Sequence, residues 1–137
     1  MGMPAYEVSV CHSFRASHAV AAPDGSMESP HEHDWQLEAV FRAATLDDNG
    51  FVVDFLAIRE RLEAVAAALA GQMLNLVVPN QGRGASAERV AQYVAERLGD
   101  PKRDTPRLGT PMLLGRLYAV RVIEAPGCRG AYYPESP

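Results

Sequence analysis

Apolar side chains recur along this chain at two different intervals, and the interval changes twice. From Tyr6 to Phe14 they alternate, with Tyr6, Val8 and Val10 set against Glu7, Ser9 and Cys11. From His31 to Ala43 they alternate again, with His33, Trp35, Leu37, Ala39 and Phe41 on one side and Asp34, Gln36 and Glu38 on the other. A period of two belongs to a strand with one buried face, so both stretches are predicted strands. The interval then lengthens to three and four: Phe55, Ile58, Leu62, Val65, Ala66 and Leu69 form one stripe, and Val90, Tyr93, Val94 and Leu98 a second. Each stripe predicts an amphipathic helix, the first capped by Asp54 with Phe55 in the core, the second capped by Ser86 and stopped by Gly99. Alternation returns after a polar loop at 100–111, where Leu117, Ala119, Arg121 and Ile123 stand opposite Tyr118, Val120, Val122 and Glu124. Pro126 and Gly127 then turn the chain into a last short strand. Strand pairs kept apart from a helix pair predict an α+β fold: a four-stranded antiparallel sheet, ββααββ, with both helices on one face.

The chain has 137 residues, the size of a single domain, which we assign to 1–137. With 47% hydrophobic and 22% charged residues it has enough apolar material for a core, and its net charge of −4 gives no basic footprint for a nucleic acid. Two cysteines, Cys11 and Cys128, are too few for a disulfide framework, and there is no basic segment leading into an apolar run near the start. These features predict a reduced, cytoplasmic setting. The most apolar window, from Ala64 to Val78, is too short to span a bilayer and contains Gln72 and Asn75, so no membrane partner is expected. A four-stranded sheet leaves two open edges, which a second copy can pair, so a homo-oligomer is expected.

The chemistry concentrates in "SPHEHDW". Residues two apart on a strand point the same way, so His31 and His33 present their imidazoles to one side. Alone, the pair reads as a solvated strand edge. His18, at the end of "FRASH", joins them if the first two strands pair through the loop between them. Three neutral histidines with an open fourth position make a catalytic zinc arrangement, so His18, His31 and His33 are the candidate metal ligands. His12 has no such spacing, and Cys11, in mid-strand, reads as a small packed side chain.

At these residues the chain resembles the 6-pyruvoyl-tetrahydropterin synthase and 6-carboxy-tetrahydropterin synthase family, which has the T-fold. "FRASH" stands for the family's F-x-A-x-H and "HEH" for its H-G-H. "VVDF" opens the first helix, "MLN" precedes the long loop, "SAERVAQYV" matches its second helix, and "VIEAPGCRGAYY" matches its strand-end glutamate. The motifs follow family order over nearly the whole chain. The resemblance implies trimers stacked into a hexamer, zinc on the three histidines, and a pterin- or purine-like ligand. It assigns Glu124 to the ring's amino and N–H groups, which suits a carboxylate accepting two parallel hydrogen bonds from a cyclic amidine. It places Ser86 and Ala87 in the turn that lines the ring, where backbone N–H groups are free.

The resemblance also marks departures. The family's catalytic cysteine falls at Met27, a thioether with no proton to exchange, and its Asp-His pair falls at Ala70 and Gly71. The catalytic residues are therefore unknown, and the family reaction is not expected. Glu28 and Glu32 flank the histidines and are the candidates for a substituted acid or base, in which case the protein is a zinc-dependent pterin lyase or hydrolase.

Overall fold

The computed structural model describes residues 3–98 and 115–134. The Gly99 stop, the 100–111 loop and the start of the predicted third strand before Gly115 lie outside them. Six main elements follow the predicted order: β1 Tyr6–His18, β2 His31–Ala43, α1 Phe55–Leu69, α2 Ala87–Leu98, β3 Arg116–Ala125 and β4 Cys128–Tyr132. The strands form one sheet in the order β1-β2-β3-β4, every neighbour antiparallel. α1 lies over β1, and α2 over β3 and β4, so both helices cover the same face.

β1 and β2 pair without interruption from Tyr6 opposite Ala43 to His18 opposite His31. The inward side chains of β2, Trp35, Leu37 and Phe41, are almost fully buried beneath Ile58, Leu62 and Leu69 of α1 and Val90 and Val94 of α2. Burying a side chain of this size stabilises by roughly 1.5–3 kcal/mol, so this layer fixes how the strands lie under the helices. Asp54 caps α1 as the sequence predicts, accepting from the backbone N–H groups of Leu56 at 2.9 Å and Ala57 at 3.4 Å. Ser86 caps α2, its hydroxyl accepting from the N–H of Arg89 at 3.3 Å.

Two expectations about faces are corrected. Phe55 is 48% exposed and not a core residue: the buried residues of α1 are Ala57, Ile58, Leu62, Ala66 and Leu69, all after the first helical position. Leu117 packs against the core together with Val120 and Val122, although strict alternation puts it opposite them. The register between β2 and β3 shifts between Val40 and Phe41, which inserts one unpaired residue and turns Leu117 inward. The displaced Tyr118 ring lies under the Arg42 guanidinium, 3.5 Å from its centroid. Gly127, at φ +82°, makes the tight turn between β3 and β4.

A short 3₁₀ turn, Leu74–Leu76, follows α1. The stretch before it runs along the outer edge of β1: Gly71 donates to the carbonyl of Arg15 at 2.8 Å, and Ser17 donates to that of Gln72 at 3.0 Å. This closes the β1 edge beside the histidines.

Candidate metal centre

The unbroken β1–β2 register places His18 directly across from His31, and the strand period keeps His33 on the same inward face. The ligand atoms of His18, His31 and His33 all lie within 4.8 Å of one another. Trp35 forms the floor, its ring edge-on to His18 at 4.8 Å and to His33 at 5.8 Å between centroids. Its indole N–H donates to the carbonyl of Ala16 at 3.1 Å, which fixes the floor to β1.

Hydrogen bonds on the far side of two rings set their tautomers. His18 Nδ1 is 2.7 Å from the carbonyl oxygen of Ala85, and His31 Nδ1 is 3.2 Å from that of Ser29. A carbonyl only accepts, so in each neutral ring the proton sits on Nδ1 and Nε2 is a bare lone pair. Those two Nε2 atoms face each other at 3.1 Å. The buried Nε2 of His33 has no hydrogen-bond partner among the described residues. Burial pushes the His33 pKa below its ordinary value; Glu124 opposes this, and His18 and His31 reinforce it. Lone pairs that converge in a partly buried site repel one another until a cation lies between them. Tetrahedral zinc with bonds of about 2.0–2.1 Å sets its ligand atoms about 3.3–3.4 Å apart. The three nitrogens fit such an ion after small side-chain adjustments, and the backbone carbonyls of Ala85 and Ser29 already orient two of the rings in the usual way.

Glu124, at the end of β3, faces this cluster. Its two carboxylate oxygens lie 3.6 Å from His18 Nε2 and 3.7 Å from His33 Nε2, and its side chain is 26% exposed. Ser86 and Ala87 follow Ala85, the residue that holds His18, and the Ser86 N–H donates to the Gly84 carbonyl at 3.1 Å.

Sequence reasoning did not single out Asn75 as a site residue. Its side-chain oxygen accepts from the N–H groups of Ala19 and Ala85, both at 3.2 Å, and its amide donates to the carbonyl of Ala19 at 3.0 Å. It thereby ties the residue after His18 to the residue that orients the His18 ring. A lone amide inside the apolar run "MLNLVV" was the available signal, since such a group needs partners.

Of the candidates for a substituted base, only Glu28 lies at the site. One of its oxygens accepts from the Val20 N–H at 3.0 Å and lies 3.7 Å from His31 Nδ1. Glu32 does not reach the site, because its side chain points to the opposite face of the sheet, where Arg15 pairs with it at 3.3 Å and with Asp34 at 3.0 Å. The alternation of β2 sends every second residue away from the histidines. Cys11 lies on that outer face too, and its thiol pKa is raised by partial burial and by Glu38. Met27 is half exposed, and Ala70 and Gly71 carry no titratable group.

An α+β subunit whose sheet ends in three converging histidines is the class that fold and site define together. A family profile described as 6-pyruvoyl tetrahydropterin synthase matches residues 7–135, and the chain belongs to that family. No curated protein matches significantly. Among solved structures, 6-pyruvoyl tetrahydropterin synthase from Caenorhabditis elegans is similar with a TM-score of 0.71 and 19% identity, over 98% of this chain and 99% of that one. The Plasmodium falciparum enzyme of the same description gives 0.70 and 19%, over 95% and 98%. A Plasmodium vivax 6-pyruvoyltetrahydropterin synthase, described as a variant in which a catalytic glutamate is replaced by alanine, gives 0.67 and 18%, over 93% and 96%. These likenesses show the T-fold. Among the described residues no helix is long and apolar enough to cross a membrane.

Proposed function

We propose that this protein binds a flat, amidine-bearing heterocycle of the pterin or purine type beside a zinc ion held by His18, His31 and His33, without performing the 6-pyruvoyl- or 6-carboxy-tetrahydropterin synthase reaction. The observation that carries the reading is the convergence of three imidazole nitrogens, with the buried Nε2 of His33 lacking a hydrogen-bond partner among the described residues and the Glu124 carboxylate beside them. Glu124 has two oxygens to set against the two N–H groups of a cyclic amidine. Ser86 and Ala87 line the ring at the start of α2, where the Ala87 N–H supplies the donor for the ring's acceptors while that of Ser86 is held by the Gly84 carbonyl at 3.1 Å. Zinc bound there would act as a Lewis acid and lower the pKa of a coordinated water to about 7. With Met27, Ala70 and Gly71 at the family's proton-transfer positions, those positions hold no group able to move a proton. A general base contributes about 10²–10⁴ in rate, and residues acting as a unit fail together. Calorimetry with neopterin and guanine tests the pocket: binding that Glu124→Ala abolishes supports it, and binding that survives the change refutes it. Conversion of dihydroneopterin triphosphate to either family product at an ordinary turnover refutes the loss of chemistry. Assembly as a homohexamer, a dimer of trimers, belongs to the same proposal, and a monomeric mass by light scattering overturns it.

A second reading has one observation in its favour. Glu28 holds a carboxylate at the edge of the cluster, and a relative of the same fold uses a glutamate as a catalytic residue. On this reading the protein is a zinc-dependent pterin lyase or hydrolase in which Glu28 moves the proton, and Glu28→Gln lowers turnover of a pterin substrate by about 10²–10⁴. Equal turnover in the variant and the wild type refutes it.

A further inference from the structure

The carboxylate of Glu124 is turned toward the histidines. Nε2 of His18 is bare in the tautomer that the Ala85 carbonyl selects, and Nε2 of His33 has no hydrogen bond among the described residues. Separations of 3.6 and 3.7 Å are too long for hydrogen bonds, so no shared proton accounts for the approach. The same separations are close to the roughly 3.3–3.4 Å between two ligand atoms on one tetrahedral zinc ion. The carboxylate thus sits over the His18–His33 edge at the spacing of a fourth ligand. It is also the group available to hold a ring amidine, and one carboxylate cannot do both at full strength.

We propose that Glu124 is the fourth protein ligand of the metal held by His18, His31 and His33 when no heterocycle is bound, so that metal and ring compete for one side chain. The inference rests on the three-histidine reading above and deepens it. Four protein ligands close a zinc site, whereas three leave a position for water or substrate. Arrival of the ring draws Glu124 off the metal and opens that position, so the Lewis acid is exposed only where a ligand is present to use it. Linkage makes the coupling reciprocal: the ring weakens the metal's hold by the factor by which the metal weakens the ring's.

The test is zinc affinity, measured on the full chain by competition with a chromophoric chelator and with no heterocycle present. Glu124→Gln keeps the size of the side chain and removes the strong ligand, and it is expected to lower zinc affinity by more than about tenfold. Glu124→His supplies a ligand of similar reach without the negative charge, and it is expected to restore affinity to within about threefold of wild type. The cobalt(II) form of the wild type should change its visible d–d absorption when neopterin is added, whereas that of Glu124→His should not. Unchanged zinc affinity in Glu124→Gln overturns the proposal, and so does a histidine variant that recovers nothing, because a carboxylate acting by charge alone gives that pattern. His33→Ala separates the two levels. If that change removes zinc binding while Glu124→Gln does not, the three-histidine site stands and the fourth ligand falls. If the wild type takes up no zinc, both fall.

Discussion

The inward ends of β1 and β2 and the two segments beside them, residues 19–30 and 70–73, lie next to one another and are built on different principles. At the strand ends each functional group is held twice. His18 is fixed by strand pairing and by Ala85, His31 by pairing and by Ser29, and the Trp35 floor by its bond to Ala16. In the flanking segments the backbone is equally well tied, through Gly71 and Gln72 to β1 and through Val20 to Glu28, but the side chains at 27, 70 and 71 offer a thioether, a methyl group and a hydrogen atom. The fold gathers ring nitrogens at one point, and positions 27, 70 and 71 beside it carry no side chain that exchanges a proton. On the proposed reading, holding a metal and moving a proton are separate properties of this molecule.

Removing His33 should have the largest effect and should fall on one side of that division. His33→Ala is expected to lower zinc affinity by more than about a hundredfold in a calorimetric titration, since loss of an inner ligand exceeds the 10–100-fold cost of an outer one. The metal-free protein should keep its stability within about 1 kcal/mol in urea unfolding, because the Nε2 being deleted is an unsatisfied buried atom whose removal relieves a desolvation cost. A large loss of metal-free stability would mean that the histidine belongs to the core and not to a site.

Next comes the clamp that joins the two regions. Asn75→Ala leaves the N–H groups of Ala19 and Ala85 without their acceptor and should destabilise by about 2–4 kcal/mol in the same unfolding assay. Because Ala85 orients His18, zinc affinity should also fall by about 10–100-fold. A Gly84→Ala change attacks the same junction through the backbone. At φ +98° an added Cβ meets the Ala19 carbonyl and the Val20 Cα, and a loss of about 2–4 kcal/mol is expected with displacement of His18. Unperturbed zinc uptake in both variants would show that the cluster does not depend on this junction.

Much of this arrangement was legible in the sequence, for reasons that differ residue by residue. The period of two put His31 and His33 on one face before any fold was known, and the strand pairing that was the stated condition for His18 is the one observed. Asp54 and Ser86 were readable because capping is local. What escaped depends on contacts distant in sequence. The shift at Val40 and Phe41 that turns Leu117 inward comes from how β2 and β3 pair. The exposure of Phe55 depends on what packs over the start of α1, and the approach of Glu124 to His18 and His33 on how β3 lies beside β2. Asn75 was visible as an odd polar residue, but its partners at 19 and 85 could be found only in three dimensions.

The sole tryptophan offers a smaller and more direct readout. Trp35 lies edge-on to His18 and His33, so binding of cobalt(II) at the cluster should quench its emission, and that quenching should disappear in His33→Ala. Emission that ignores the metal in the wild type would place the ion elsewhere.

The smallest effect tests the flanking side of the comparison. Glu28 accepts one hydrogen bond from Val20 in an exposed setting, and its oxygen stands 3.7 Å from the far nitrogen of His31, away from the lone pairs that face the cluster. Removing its charge should cost only about 0.5–1.5 kcal/mol of stability, the net worth of one such bond. Zinc affinity of Glu28→Gln should stay within about threefold of wild type, because at partly exposed sites a single charge acts through a high effective dielectric. The Ser29 carbonyl continues to fix the His31 tautomer in that variant. If the change instead lowers zinc affinity as far as Asn75→Ala does, Glu28 orients His31 and belongs to the metal-holding region, and the division between gathering a cation and moving a proton does not run between these segments.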